Sequence, residues 1–194
     1  MNKSLPKRRR ENKQTLDENP KVRYEQGMAS PAIDASVVTI RYLFCALPIL
    51  MATVHCIWRR NFPGFSKADC FLIYFLTIGV GLQGLLVGNL EIYHSEIVAA
   101  SVGWEMSPFI AELGKANIAF GVLGVLSFWY RGGWGSATAL GYGLFILMRG
   151  MGHYKAFILA SDGTREIVGS IIATDFILAA SLFTLLTIRR IYKS

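Results

Sequence analysis

The sequence predicts an all-α fold: an integral membrane helical bundle of about five transmembrane helices behind a disordered basic N-terminal tail. Three observations carry that prediction. Hydrophobic residues fill 53% of the 194 positions. They gather into five runs of roughly the 20 residues that a helix needs to cross the hydrocarbon. The charges are pushed to one end, since residues 1–35 hold eight of the 20 Lys and Arg and five of the 13 Asp and Glu. Two regions follow, a tail over 1–35 and a transmembrane domain over 36–190.

The tail is rich in Lys, Arg, Asn, Gln, Glu and Pro and too poor in large apolar residues to offset the entropy of ordering. Its run Lys7, Arg8, Arg9, Arg10 suits an anionic leaflet, where each basic residue contributes about 1 kcal/mol near the surface. It does not read as a signal peptide, because more polar residues and no apolar core follow the basic run. The formal charge of +7 is divided between this tail and the helix ends instead of covering one folded face, so nucleic acid is not an expected partner. Cys45, Cys56 and Cys70 form no Cys-x-x-Cys pair and read as buried thiols.

The first span is read over 37–58, closed by Arg59 and Arg60, with Pro48 tolerable because membrane helices re-satisfy the freed carbonyl. The second runs over 68–90. The third, 110–130, carries Glu112, Lys115 and Asn117 in its first turns. The fourth, 136–155, is the weakest, broken by Gly141, Gly143, Gly150, Gly152 and Arg149. The fifth, 167–188, ends at Arg189, Arg190 and Lys193. The positive-inside rule sets seven basic residues, Arg59, Arg60, Lys67, Arg131, Arg189, Arg190 and Lys193, against Lys155 and Arg165 on the other side. That places the C-terminus in the cytoplasm.

Glycine patterning predicts how the spans pack. Gly79-Val-Gly81-Leu-Gln-Gly84 spells a dinucleotide fingerprint, but it stands inside an apolar run, where that motif's strand and turn have no place. As a helix, Gly84 and Gly88 form Gly-x-x-x-Gly, which lets a second backbone approach. Gly114, Asn117, Gly121 and Gly124 form a stripe about 80° wide on the third span. Such faces suit a neighbouring helix of the same chain, a second copy or another membrane protein.

Ionisable residues inside apolar runs normally face a partner or a cavity, because a charge near the bilayer centre costs at least about 2.5 kcal/mol. Asp175 stands near the middle of the fifth span, Arg149 and His153 share a face of the fourth, and Glu112 and Asn117 enter from the third. With His94 these form a candidate ligand or ion cluster. The plainer reading pairs Asp175 with Arg149, and Glu112 with Lys115 or His153, as struts of the bundle. Glu91-Ile-Tyr-His94 has the Glu-x-x-His spacing of di-metal bundles without the second copy such a centre needs. Glu91, His94, Glu112 and His153 are therefore weak metal candidates, and no cofactor is indicated. In the connection 94–109, Ser95 to Ser101 suits a short interfacial helix, Gly103 a turn and Trp104 a headgroup anchor, while Ser107 caps the third span with Pro108 in its first turn, followed by Phe109.

His94, Val-Gly-Trp-x-x-Ser-Pro-Phe over 102–109, Glu112-x-Gly114-x-x-Asn117, Gly121-x-x-Gly124, Gly152-His153 and Asp175 resemble an uncharacterised family of small multi-pass prokaryotic membrane proteins, a domain of unknown function. The resemblance covers roughly 40–188. Members often carry Gln where this chain has Ile110, their Asn/Pro/Gly-rich stretch is here Ser161-Asp-Gly-Thr-Arg165, and the basic tail is additional. The resemblance implies a multi-pass protein of a prokaryotic inner membrane and implies no activity. The sequence is compatible with three functions: a protein that binds a small ligand or passes an ion or proton through its polar cluster, a membrane-embedded enzyme, metal-dependent or not, and a structural or assembly subunit.

Overall fold

The computed structural model describes residues 31–58, 66–102, 104–159 and 162–193. The predicted tail lies almost wholly outside them. The described residues form six helices, α1 (Pro31–Trp58), α2 (Lys67–Tyr93), α3 (Ser95–Val102), α4 (Pro108–Leu126), α5 (Gly133–Leu159) and α6 (Asp162–Lys193), and no strand. Within α1, α2, α4 and α6, the stretches Val38–Trp58, Lys67–Tyr93, Pro108–Leu126 and Arg165–Ile191 are long and apolar enough to cross a membrane. The predicted all-α membrane bundle is therefore the fold observed. The fourth predicted span, α5, has 27 residues but is not among the four.

The helix starts obey local chemistry. α1 begins at Pro31, ahead of the apolar run, because proline at a first helical position sacrifices no hydrogen bond. α2 opens on a reciprocal capping box, in which Asp69 N donates to Ser66 Oγ at 3.1 Å and Ser66 N donates to Asp69 Oδ2 at 3.4 Å. α4 opens as expected, with Pro108 in its first turn and Phe109 N donating to Ser107 Oγ at 3.3 Å. The centre of α2, Phe75–Leu82, is wound as a π-helix, a wider turn that is rare and tends to accompany functional sites.

Two antiparallel seams hold the bundle. Between α2 and α4 the backbones touch: a Cβ added at Gly88 would lie 2.6 Å from Gly114 O, one at Gly84 2.8 Å from Asn117 O, and one at Gly124 2.6 Å from Gly81 N. The glycine faces of α2 and α4 thus fill each other within one chain. Along the second seam, α5 and α6 meet from end to end. Ser136 lies at Arg189, Gly143 at Phe183, Arg149 at Asp175 and Gly169 at Phe157. The apolar core fills the space between the seams with Leu72, Phe75, Leu76 and Val80 of α2, Tyr142 and Ile146 of α5, and Leu178 and Leu182 of α6.

The outer faces remain apolar. Ile40, Leu43, Leu50, Val54 and Ile57 of α1 are exposed, as are Met148, Met151 and Ile158 of α5. Trp58, Trp129, Tyr130 and Trp134 are exposed at one end of the bundle and Tyr93, Phe109 and Tyr154 at the other, the two-belt arrangement of a protein seated between headgroup layers. At the first of these ends Arg189 donates to Ser136 Oγ at 2.7 Å and to Gly132 O at 3.0 Å, and its Nε lies 2.7 Å from Asp69 Oδ1. That carbonyl is free to turn inward because Gly132 adopts φ +77.

Candidate functional site: a buried polar network

The two seams converge on one polar region in the half of the bundle nearer α3. On the α5–α6 seam, Arg149 grips Asp175 with both ends of its fork. Nε donates to Oδ2 at 2.9 Å and Nη2 to Oδ1 at 2.6 Å. Both side chains are buried, with 9% and 2% exposed, so solvent does little to screen the pair. On the α2–α4 seam, Asn117 Nδ2 donates to Glu91 Oε2 at 2.6 Å. The seams are joined where Arg149 Nη1 donates to Asn117 Oδ1 at 3.5 Å.

Arg41 of α1 completes the region. It lies within electrostatic reach of Arg149, Asp175, Glu91 and Tyr142, so all five long helices contribute to one network. Two arginines face two carboxylates, but the pairing is unequal. Nε and Nη1 of Arg41 are buried with no hydrogen-bond partner among the described residues, and the same is true of His153 Nδ1 and Gln83 Oε1. His153, one turn from Arg149, carries Trp104 stacked flat on its ring, with centroids 4.9 Å apart and planes 6° from parallel.

Of the residues expected to form one cluster, Asn117, Arg149, His153 and Asp175 are brought together. Glu112 and His94 are not. Glu112 is exposed and bonded to Lys115 at 2.6 Å, because the Asn117 face of α4 turns inward and Glu112 stands about 140° around from it. His94 is exposed because α2 stops at Tyr93 and His94 leaves the helix at φ −133, ψ 39, which breaks the Glu-x-x-His face. No three His, Cys, Asp or Glu residues come together to hold a metal among the described residues, so Glu91, His94, Glu112 and His153 do not form the expected ligand set. In the connecting loop α3 forms where expected, and Trp104, read as a headgroup anchor, instead covers His153. Gly103 lies outside the described residues, while Pro108 and Phe109 are exposed.

Sequence reading missed Arg41 and placed Glu91 only as a metal candidate. Both had a usable signal. Arg41 is a charge inside an apolar run, the test that singled out Asp175, and Glu91 follows Gly88 by three residues on the same packing face.

Together the apolar outer faces, aromatic belts and buried network define a polytopic α-helical membrane protein. The chain belongs to DUF6790, a family of unknown function, whose model matches residues 38–194. No curated protein and no solved structure matches it.

Proposed function

We propose that the protein binds a small polar solute within the membrane, in the network of Arg41, Glu91, Asn117, Arg149, His153 and Asp175. One observation carries the reading: Arg41 and His153 keep buried polar atoms with no hydrogen-bond partner among the described residues, beside Arg149, Asp175, Asn117 and Glu91, which are bonded to one another. An unmet buried polar group costs about 1–3 kcal/mol, and more when charged. A solute that met these atoms would recover that cost as binding energy.

The test is a thermal-shift panel of anionic, neutral and cationic polar solutes on detergent-purified protein, run beside Glu91→Gln. Gln keeps an acceptor for Asn117 and removes the charge. At least one solute class should raise the wild-type melting temperature by several degrees, with affinity changed about tenfold or more in Glu91→Gln. A panel that moves neither protein would sink the proposal.

The proposed setting is a prokaryotic inner membrane with the C-terminus cytoplasmic, supported by the seven-to-two basic asymmetry. The network then sits in the outer half of the bilayer. In a variant lacking the native cysteines, Glu105→Cys should react with a membrane-impermeant maleimide in intact cells. Labelling only after lysis would reverse the topology.

A further inference from the structure

The network leaves a donor surplus of a particular kind. Arg149 spends two N–H groups on Asp175, and Glu91 is held by Asn117, so each carboxylate has a close partner. Arg41 Nε and Nη1 are buried and have no hydrogen-bond partner among the described residues. The side chain feels the like charge of Arg149 and the opposite charges of Asp175 and Glu91. Next in electrostatic reach is His153, whose Nδ1 is buried and unmet. The carboxylates balance the Arg41 charge at a distance but accept none of its unmet N–H groups, and a cation would bring no acceptor and add to the repulsion. An anion with several oxygens supplies acceptors to the unmet Arg41 N–H groups and offsets the repulsion between the two guanidinium groups.

We propose that Arg41 and His153 together form an oxyanion site, with Trp104 as its outer wall. The proposal rests on the solute-binding reading above and names the chemical class of the solute. Guanidinium is the side chain best matched to phosphate and carboxylate oxygens, since it is permanently charged and presents its donors in a fixed plane. Trp104 belongs to the wall because it stacks on the His153 ring, and the loop end that carries it is packed against Val102 of α3 and Ile167, Val168 and Ile171 of α6. The oxyanion can arrive free in solution or as the phosphate of a lipid headgroup, since α1 lies at the lipid-facing edge of the bundle.

The experiment uses full-length protein in a neutral, phosphate-free detergent, titrated in separate arms with inorganic phosphate, a short-chain phosphatidylglycerol and the matching uncharged diacylglycerol. Melting temperature and calorimetric affinity are read for wild type, Arg41→Gln, Arg41→Lys and His153→Phe. Saturable binding of phosphate supports a free-ion site. Binding of the phospholipid alone supports a headgroup site. In either case Arg41→Gln should weaken binding at least tenfold and Arg41→Lys less, while His153→Phe, which keeps a ring for Trp104, should weaken it severalfold. If Arg41→Gln does not fold, the His153→Phe comparison decides in its place.

Three outcomes overturn the proposal: no binding in either phosphate arm, equal binding of the uncharged diacylglycerol, or binding that survives in both Arg41→Gln and His153→Phe. A neutral or cationic solute that binds in a Glu91-dependent way while both phosphate arms stay silent would leave solute binding standing and remove the oxyanion site.

Discussion

Asp175→Asn is the sharpest perturbation of the network. The native carboxylate accepts two charge-assisted bonds, at 2.9 and 2.6 Å, from a guanidinium that has few alternative acceptors. Asparagine offers one neutral oxygen and turns an amide N–H toward a donor. Breaking a buried ion pair by removing one partner costs about 3–5 kcal/mol. At 1.36 kcal/mol per decade, that is a loss of roughly two to nearly four decades in the folding equilibrium. An ordinary interhelical hydrogen bond in a membrane averages only about 0.6 kcal/mol, so the size of the loss distinguishes a charge pair from routine polar packing. Equilibrium unfolding in lipid bicelles measures it. The double variant Arg149→Met/Asp175→Leu should recover most of the loss, because apolar residues of similar volume replace a buried pair at little cost. The reasoning fails if Asp175→Asn stays within about 1 kcal/mol of wild type, or if the double variant loses the full sum of its single variants.

Three further outcomes follow from the packing. Gly88→Ala should destabilise by about 1–3 kcal/mol, because its Cβ would stand 2.6 Å from Gly114 O, whereas Gly152→Ala meets nothing within 4 Å and should be neutral or slightly stabilising in the same unfolding assay. Glu112→Gln should change stability by no more than about 0.5 kcal/mol, since its pairing with Lys115 is 62% exposed on both sides. Asp69→Asn removes the carboxylate from Arg189 and weakens the α2 capping box, so a loss of about 3 kcal/mol is expected, and denaturant midpoints of the purified variants would show it.

The helices and the glycine seams were legible because both are written in local patterns. Apolar run length announces a membrane helix, and glycines three, four or seven residues apart announce a face that accepts another backbone, as 114, 121 and 124 do against 81, 84 and 88. The Arg149–Asp175 pair was also foreseeable, since two deep charges of opposite sign on consecutive spans have few other partners. What could not be read was the meeting of distant elements. Arg41 reaches the network only because α1 packs beside α6, and the Trp104 wall exists only because the loop after α3 folds back over the end of α5. Helix termination misled in a different way. Spacing alone put His94 on the Glu91 face, but a motif read as i, i+3 assumes that the helix continues through it, and α2 ends one residue too soon.

The network owes its geometry to seams that cannot slide. Between α2 and α4 a one-residue shift would carry a side chain into backbone that only glycine tolerates, so Glu91 is held opposite Asn117 by Gly88 and Gly114 next to it. Between α5 and α6 the fork of Arg149 and the anchorage of Arg189, on the same two helices but far apart along them, fix a single register. Where those two registers meet, Asn117 and Arg149 come within reach of each other as a consequence, at the longest distance in the network, 3.5 Å. Arg41 comes from a helix whose outer face is lined with exposed apolar residues and belongs to neither seam. The four residues fixed by register pair among themselves, and the guanidinium whose Nε and Nη1 find no hydrogen-bond partner among the described residues sits on the helix that register does not bind.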